Sequence, residues 1–145
     1  MTPFRTAGVL AVAMTAPYLL AAPAGAAPAA YLEPVPVTAS PGCGGTVRAE
    51  VQVVPVQIDN RLDDGVRVAI NYDAGVYDGS CALTVTADWA NLDTGASGSD
   101  DITAVSTIDG HYGFIGYANA TFDTGSGTVV VTVSSHPGEE MRVSS

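Results

Sequence analysis

The side chains of this sequence best suited to nucleophilic, general-base or soft-metal chemistry are its two cysteines, Cys43 and Cys81, and its two histidines, His111 and His136. A zinc site takes about four such ligands, usually in closely spaced pairs, and these residues are scattered. A thiolate nucleophile needs an imidazole partner and a reducing environment. No G-x-S-x-G elbow is present, and GASGS (residues 95–99) does not fit that order. Carboxylates are abundant, and DNRLDDG (59–65) and SDD (99–101) cluster oxygen ligands of the kind calcium takes. The order D-x-[DN]-x-[DN]-G is absent, however, and an aspartate in a turn is explained by bonding to neighbouring amides. Glycoside hydrolysis needs two carboxyl groups at a set separation. Asp88, alternating with threonines beside Trp89, is the one aspartate in a regular strand pattern. No catalytic residue, metal site or cofactor site is assigned. A small secreted hydrolase using acidic residues stands as an alternative.

The compartment decides what the cysteines do. Residues 1–29 open with Arg5 as the only charge, continue through an apolar run from Gly8 to about Ala22, and end in small residues. Ala24-Gly25-Ala26 and Ala27-Pro28-Ala29 both present an A-x-A cleavage pattern, so this stretch reads as a secretory signal peptide. The run is short of the roughly 20 apolar residues that span a bilayer and is broken by prolines. Cleavage is expected between Ala26 and Ala30. It leaves about 115 to 119 residues, enough for one domain with a single core. In an oxidising compartment an even cysteine count predicts a bridge, here Cys43–Cys81. Free thiols and metal ligation are the alternatives.

The chain carries 15 acidic residues against five arginines and no lysine, for a formal charge of −10. Loss of Arg5 with the leader makes it one unit more negative. Such a surface repels nucleic acid and anionic lipid, whose phosphates are met by Lys and Arg. It keeps a secreted protein dispersed and favours basic partners or cations. No nucleic-acid partner, and no membrane association after cleavage, is expected.

The elements that would position any site follow a period of two. Residues 30–45 hold Pro34, Pro36 and Pro41, which exclude a helix and predict a linker or edge segment. Residues 46–145 form the body. Val47, Ala49, Val51 and Val53 alternate with polar residues. The phase then slips to Val54, Val56 and Ile58 around Pro55, which predicts a bulge or edge position. DNRLDDG reads as a turn. Val66, Val68, Ile70 and Tyr72 make a second strand, and Cys81, Leu83, Val85, Ala87 and Trp89 one face of a third. NLDTGASGSDD reads as a polar loop, ITAVSTI as a strand, and Asp109-Gly110 as a two-residue hairpin turn. HYGFIGYANATF reads as a strand with Tyr112, Phe114, Gly116, Ala118, Ala120 and Phe122 inward. Val129, Val131 and Val133 mark the last strong strand, and a short edge strand or a frayed end closes the chain. The expected fold is all-β, an antiparallel two-sheet sandwich of about seven strands, with a small closed barrel as the other option.

The leader, the short strands and the Cys43/Cys81 pair together resemble the small secreted immunoglobulin-like proteins of high-GC Gram-positive bacteria. The resemblance implies an immunoglobulin-like sandwich and carries no site residues across. Trp89 follows the second cysteine, whereas antibody-type domains hold their core tryptophan between the two. The expected role is non-catalytic: a secreted or cell-surface protein that binds an unknown protein or cell-envelope component. Self-association through strand edges is the third option. Within HYGFIGYANATF the second face carries His111, Ile115 and Tyr117, and apolar groups on a solvated face mark a binding patch. Tyr77, from DAGVYDG, is expected at its rim. The Asn119-Ala120-Thr121 sequon is treated as chance.

Overall fold

The computed structural model describes residues 28–145. The expected signal peptide falls almost wholly outside them. Among the described residues the chain forms eight strands and no helix, one strand more than the pattern predicts. These are β1 (Ala29–Thr38), β2 (Gly44–Ile58), β3 (Arg61–Asp73), β4 (Asp78–Asn91), β5 (Ser97–Thr107), β6 (Tyr117–Phe122), β7 (Thr128–Val133) and β8 (Met141–Ser144). They make two antiparallel sheets of four, sheet A in the order β1-β2-β3-β6 and sheet B in the order β5-β4-β7-β8.

Alternation places the core between the sheets. Sheet A contributes Val47, Ala49 and Val51 with Val66, Val68, Ile70 and Tyr72, and sheet B contributes Leu83, Val85, Ala87, Val129, Val131 and Val143. Each such Val or Leu contributes about 1.5–3 kcal/mol when removed from water. The Cys43–Cys81 disulfide joins the segment before β2 to β4, so it ties one sheet to the other. Both sulfurs sit in the core, and the Tyr72 hydroxyl donates to the Cys43 carbonyl at 2.8 Å beside them.

Several boundaries differ from the sequence pattern. The β2–β3 ladder pairs residues one to one from Thr46↔Asp73 to Ile58↔Arg61, with no bulge at Pro55. β1 pairs no further along β2 than Gln52, so Pro55 lies where β2 has a neighbour on one side only and its missing N–H costs no ladder bond. The turn is Asp59-Asn60 alone; Arg61–Asp64 belong to β3, and Asp59 takes a φ of 53°, which Asp tolerates. Ser97–Asp101, expected in a loop, begin β5 because they pair with Thr86–Ala90 of β4. Asp109-Gly110 is not a two-residue hairpin: residues 109–116 form a longer crossing that carries the chain from sheet B to sheet A.

Two local features shape sheet A. Pro34 has no N–H to give the ladder, and the β1–β2 register shifts between Leu32 and Val35, leaving Glu33 and Pro34 opposite Arg48. At the other edge Gly116 receives the Tyr72 N–H through its carbonyl at 3.0 Å and donates its own N–H to Thr107 at 2.8 Å. It has a φ of +52°, and a Cβ there would collide with the Tyr72 carbonyl, so glycine is required where the crossing meets both sheets.

Candidate functional site

The crossing at residues 109–116 is built from Asp109. Its carboxylate accepts the N–H groups of His111 at 2.7 Å and Tyr112 at 3.1 Å, an Asx-type turn. Its main-chain N–H donates to Phe114 at 2.8 Å, and its carbonyl accepts from Gly113 at 2.8 Å. An isolated bridge between Ile108 and Ile115 closes the base. With the backbone satisfied internally, the side chains project outward. Tyr112 is 76% exposed and Phe114 47%, so neither faces the core as the alternation suggests; Gly116 is buried, and Ala118, Ala120 and Phe122 pack against the core in the expected phase.

The projecting rings form a row. Centroids of His111 and Tyr112 are 6.3 Å apart, those of Tyr112 and Phe114 5.9 Å, and those of Phe114 and Tyr117 5.5 Å, the last two pairs stacked. Of the four residues expected in a patch, His111 and Tyr117 stand in this row. Ile115 is half-buried beneath it, and its carbonyl accepts from the Asn71 amide at 3.3 Å. Tyr77 makes no ring pair with the row. Its hydroxyl donates to Asp73 at 3.0 Å, and that bond, more than partial desolvation, raises the phenol pKa above its ordinary value. Asp78, one residue on, is lowered by bonds from the Ser80 hydroxyl and main chain.

The row borders the outer face of sheet A. Strand partners share a face, so Arg48, Asn71 and Tyr117 stand side by side across β2, β3 and β6. The next row holds Tyr31, Glu50, Ala69 and Asn119 across all four strands. Two depressions lie on this face. One of about 310 Å³ is lined by Tyr31, Glu33, Pro34, Arg48, Glu50 and Asn71 among others. One of about 250 Å³ is lined by Pro34, Thr46, Arg48, Asn71, Asp73 and Phe114 among others. Pro34, Arg48 and Asn71 belong to both, so the two adjoin, and together they form a groove that reaches from Tyr31 to Phe114 of the aromatic row. The bulge at Glu33-Pro34 lies opposite Arg48, where the two depressions meet.

Arg67 donates to Gln52 at 2.6 Å and Arg142 pairs with Glu140 at 3.0 Å. The Arg48 guanidinium has no such partner among the described residues. Its five N–H groups are available to a floor that also carries the acceptors Glu33, Glu50 and Asp73.

The remaining reactive groups serve the scaffold. His136 is buried, with Nε2 2.8 Å from the Glu33 carbonyl and Nδ1 2.8 Å from the Ser135 hydroxyl. A carbonyl only accepts, so Nε2 carries a hydrogen, and in the neutral ring Nδ1 accepts from the Ser135 hydroxyl. A hydroxyl on an imidazole is a nucleophile–base arrangement. Here, though, the two are chain neighbours, the far nitrogen meets a main-chain carbonyl and no carboxylate, and Ser135 lines none of the depressions described. Among the described residues no three His, Cys, Asp or Glu side chains converge as a metal site would require. None of these residues forms a helix long and apolar enough to cross a membrane.

Residue-level signals for Tyr31, Arg48 and Asn71 were absent from the periodicity, because each occupies an ordinary outward position on its strand. The chain matches no protein-family model, no curated protein and no solved structure.

Proposed function

We propose that this protein is a secreted, non-catalytic binding protein of the cell envelope or its surroundings, and that it engages its ligand through the rings of the 109–116 crossing and of Tyr117 at the start of β6. The observation that carries this reading is the exposed row from His111 to Tyr117. Tyr112 and Phe114 on the internally bonded loop and Tyr117 at the start of β6 are exposed and lie outside the core. Rings so placed are what binding surfaces use, because they offer large rigid contact area at low entropic cost. The disulfide between the sheets and the leader-like first residues fit export.

The test is fractionation of the full chain expressed with its own leader, followed by binding of the purified product to washed cell envelopes. The reading expects an exported product that binds envelopes. Phe114→Ala/Tyr117→Ala should lose at least about tenfold in affinity with no change in unfolding midpoint. Envelope binding unaffected by this double variant would overturn the reading.

A further inference from the structure

The groove says more about the ligand than the rings alone, and the proposal it carries rests on the binding role given above. Four features converge on the outer face of sheet A. First, rings stand at both ends: Tyr31, 66% exposed, on the outermost strand at one side, and Phe114 and Tyr117 at the other. Three strand spacings separate β1 from β6, or about 14 Å. Second, the floor between them is polar. It offers the Arg48 guanidinium as a donor, the Asn71 amide as a donor and acceptor, and the Glu33, Glu50 and Asp73 carboxylates as acceptors. Third, the floor mixes charge. One cation among three carboxylates suits neither a polyanion, which the acids repel, nor a polycation, which meets Arg48 at the centre. Fourth, the middle of this face carries a small side chain: Ala69 faces outward between Glu50 and Asn119.

A ligand that fits these features has flat apolar faces and an edge of groups that donate and accept alike. Sugar rings have both. Their C–H faces stack on aromatic rings, and each hydroxyl is one donor and two acceptors, so adjacent hydroxyls suit a planar guanidinium beside a carboxylate. We propose that an uncharged oligosaccharide chain lies across the outer face of sheet A, stacked on Tyr31 at one end and on Phe114 and Tyr117 at the other, with its hydroxyls bonded to Arg48, Asn71 and Glu50. Proline-rich peptides also use aromatic-lined grooves, but they ask for few polar partners along the floor. The three carboxylates and the free guanidinium would then be desolvated for nothing.

The experiment uses the full exported chain in affinity electrophoresis and calorimetry against neutral polysaccharides (glucan, mannan, arabinogalactan, chitin), an anionic polysaccharide and a proline-rich peptide. Retardation by at least one neutral polysaccharide is expected. Tyr31→Ala and Arg48→Ala should each weaken it by about tenfold or more, since both lie in the groove and neither touches the core. Unchanged unfolding midpoints in both variants show that the loss is local. Three results would overturn the proposal: no binding to any neutral polysaccharide, preference for the anionic polymer or the peptide, or full binding by both variants. Envelope binding that still depends on Phe114 and Tyr117 while no glycan is bound sinks the glycan and leaves the binding reading standing. Envelope binding indifferent to those rings removes both.

Discussion

The imidazole of His136 reaches back across 103 positions to the carbonyl of Glu33, at 2.8 Å. Glu33 lies in the bulge of β1, between the paired residues Leu32 and Val35, where it has no assigned partner on β2. One side chain therefore holds the first strand against the β7–β8 connection. Replacing His136 by Ala leaves a buried acceptor unsatisfied and a hole behind it, and should cost about 2–4 kcal/mol. The check is urea unfolding, where the midpoint falls and the slope stays unchanged. An unaltered midpoint would show that β1 is held by its ladder alone.

Cys43–Cys81 joins the two sheets, so its reduction removes a constraint that the core cannot replace. Reduced protein, or the Cys43→Ala/Cys81→Ala variant, should lose about 4 kcal/mol on the chain-entropy model. Native protein should show no titratable thiol, in line with the absence of free cysteines among the described residues. Thermal melts with and without reductant measure the difference.

Asn91 is buried, and every hydrogen-bonding site of its amide faces a partner. Its nitrogen donates to the carbonyls of Thr124 and Ser126 at 2.9 and 3.0 Å, and its oxygen accepts from the N–H groups of Asp93 and Thr94 at 3.0 and 3.2 Å. It therefore fixes the turn after β4 to the turn before β7. Asn91→Asp keeps the shape but sets a carboxylate oxygen against two carbonyls. It should be at least as damaging as Asn91→Ala, at about 2–4 kcal/mol. Equal stability of the Asn91→Asp variant and the wild-type protein in denaturant would refute this role.

Burial raises the Tyr72 phenol above its ordinary value of about 10. A raised folded-state pKa means that the folded chain holds the proton more tightly than the unfolded chain does. The resulting stability is complete below about pH 10 and is lost as pH climbs through the folded-state value. The unfolding midpoint should therefore drop above about pH 10, together with the rise in tyrosinate absorbance. Tyr72→Phe should blunt that drop while costing about 1 kcal/mol at neutral pH through the lost bond to Cys43.

Strand faces were readable wherever one side of a strand meets the core and the other meets water: Val47–Val51, Cys81–Ala87 and Val129–Val133 alternate as burial requires, and so does Val66–Tyr72 apart from the covered Ala69. Reading failed where the backbone, and not the core, decides. Ser99 to Asp101 look like a loop by composition, yet pairing with β4 makes them strand. Tyr112 and Phe114 fit an inward alternation by type, but the carboxylate of Asp109 folds that stretch on itself and aims the rings outward. For the candidate site the signal was partial. His111 and Tyr117 stood out as apolar or reactive groups on a wet face, whereas Arg48 and Asn71 look like any solvated strand residues until the register sets them beside Tyr117. No periodicity encodes which strands become neighbours.

The crossing from β5 to β6 is secured through main-chain groups, the Asp109 carboxylate and Gly116. The scaffold thus asks nothing of the side chains at 111, 112 and 114. Those three positions should therefore accept new residues, by selection or from a library, and so offer a route to retarget the molecule with its frame intact.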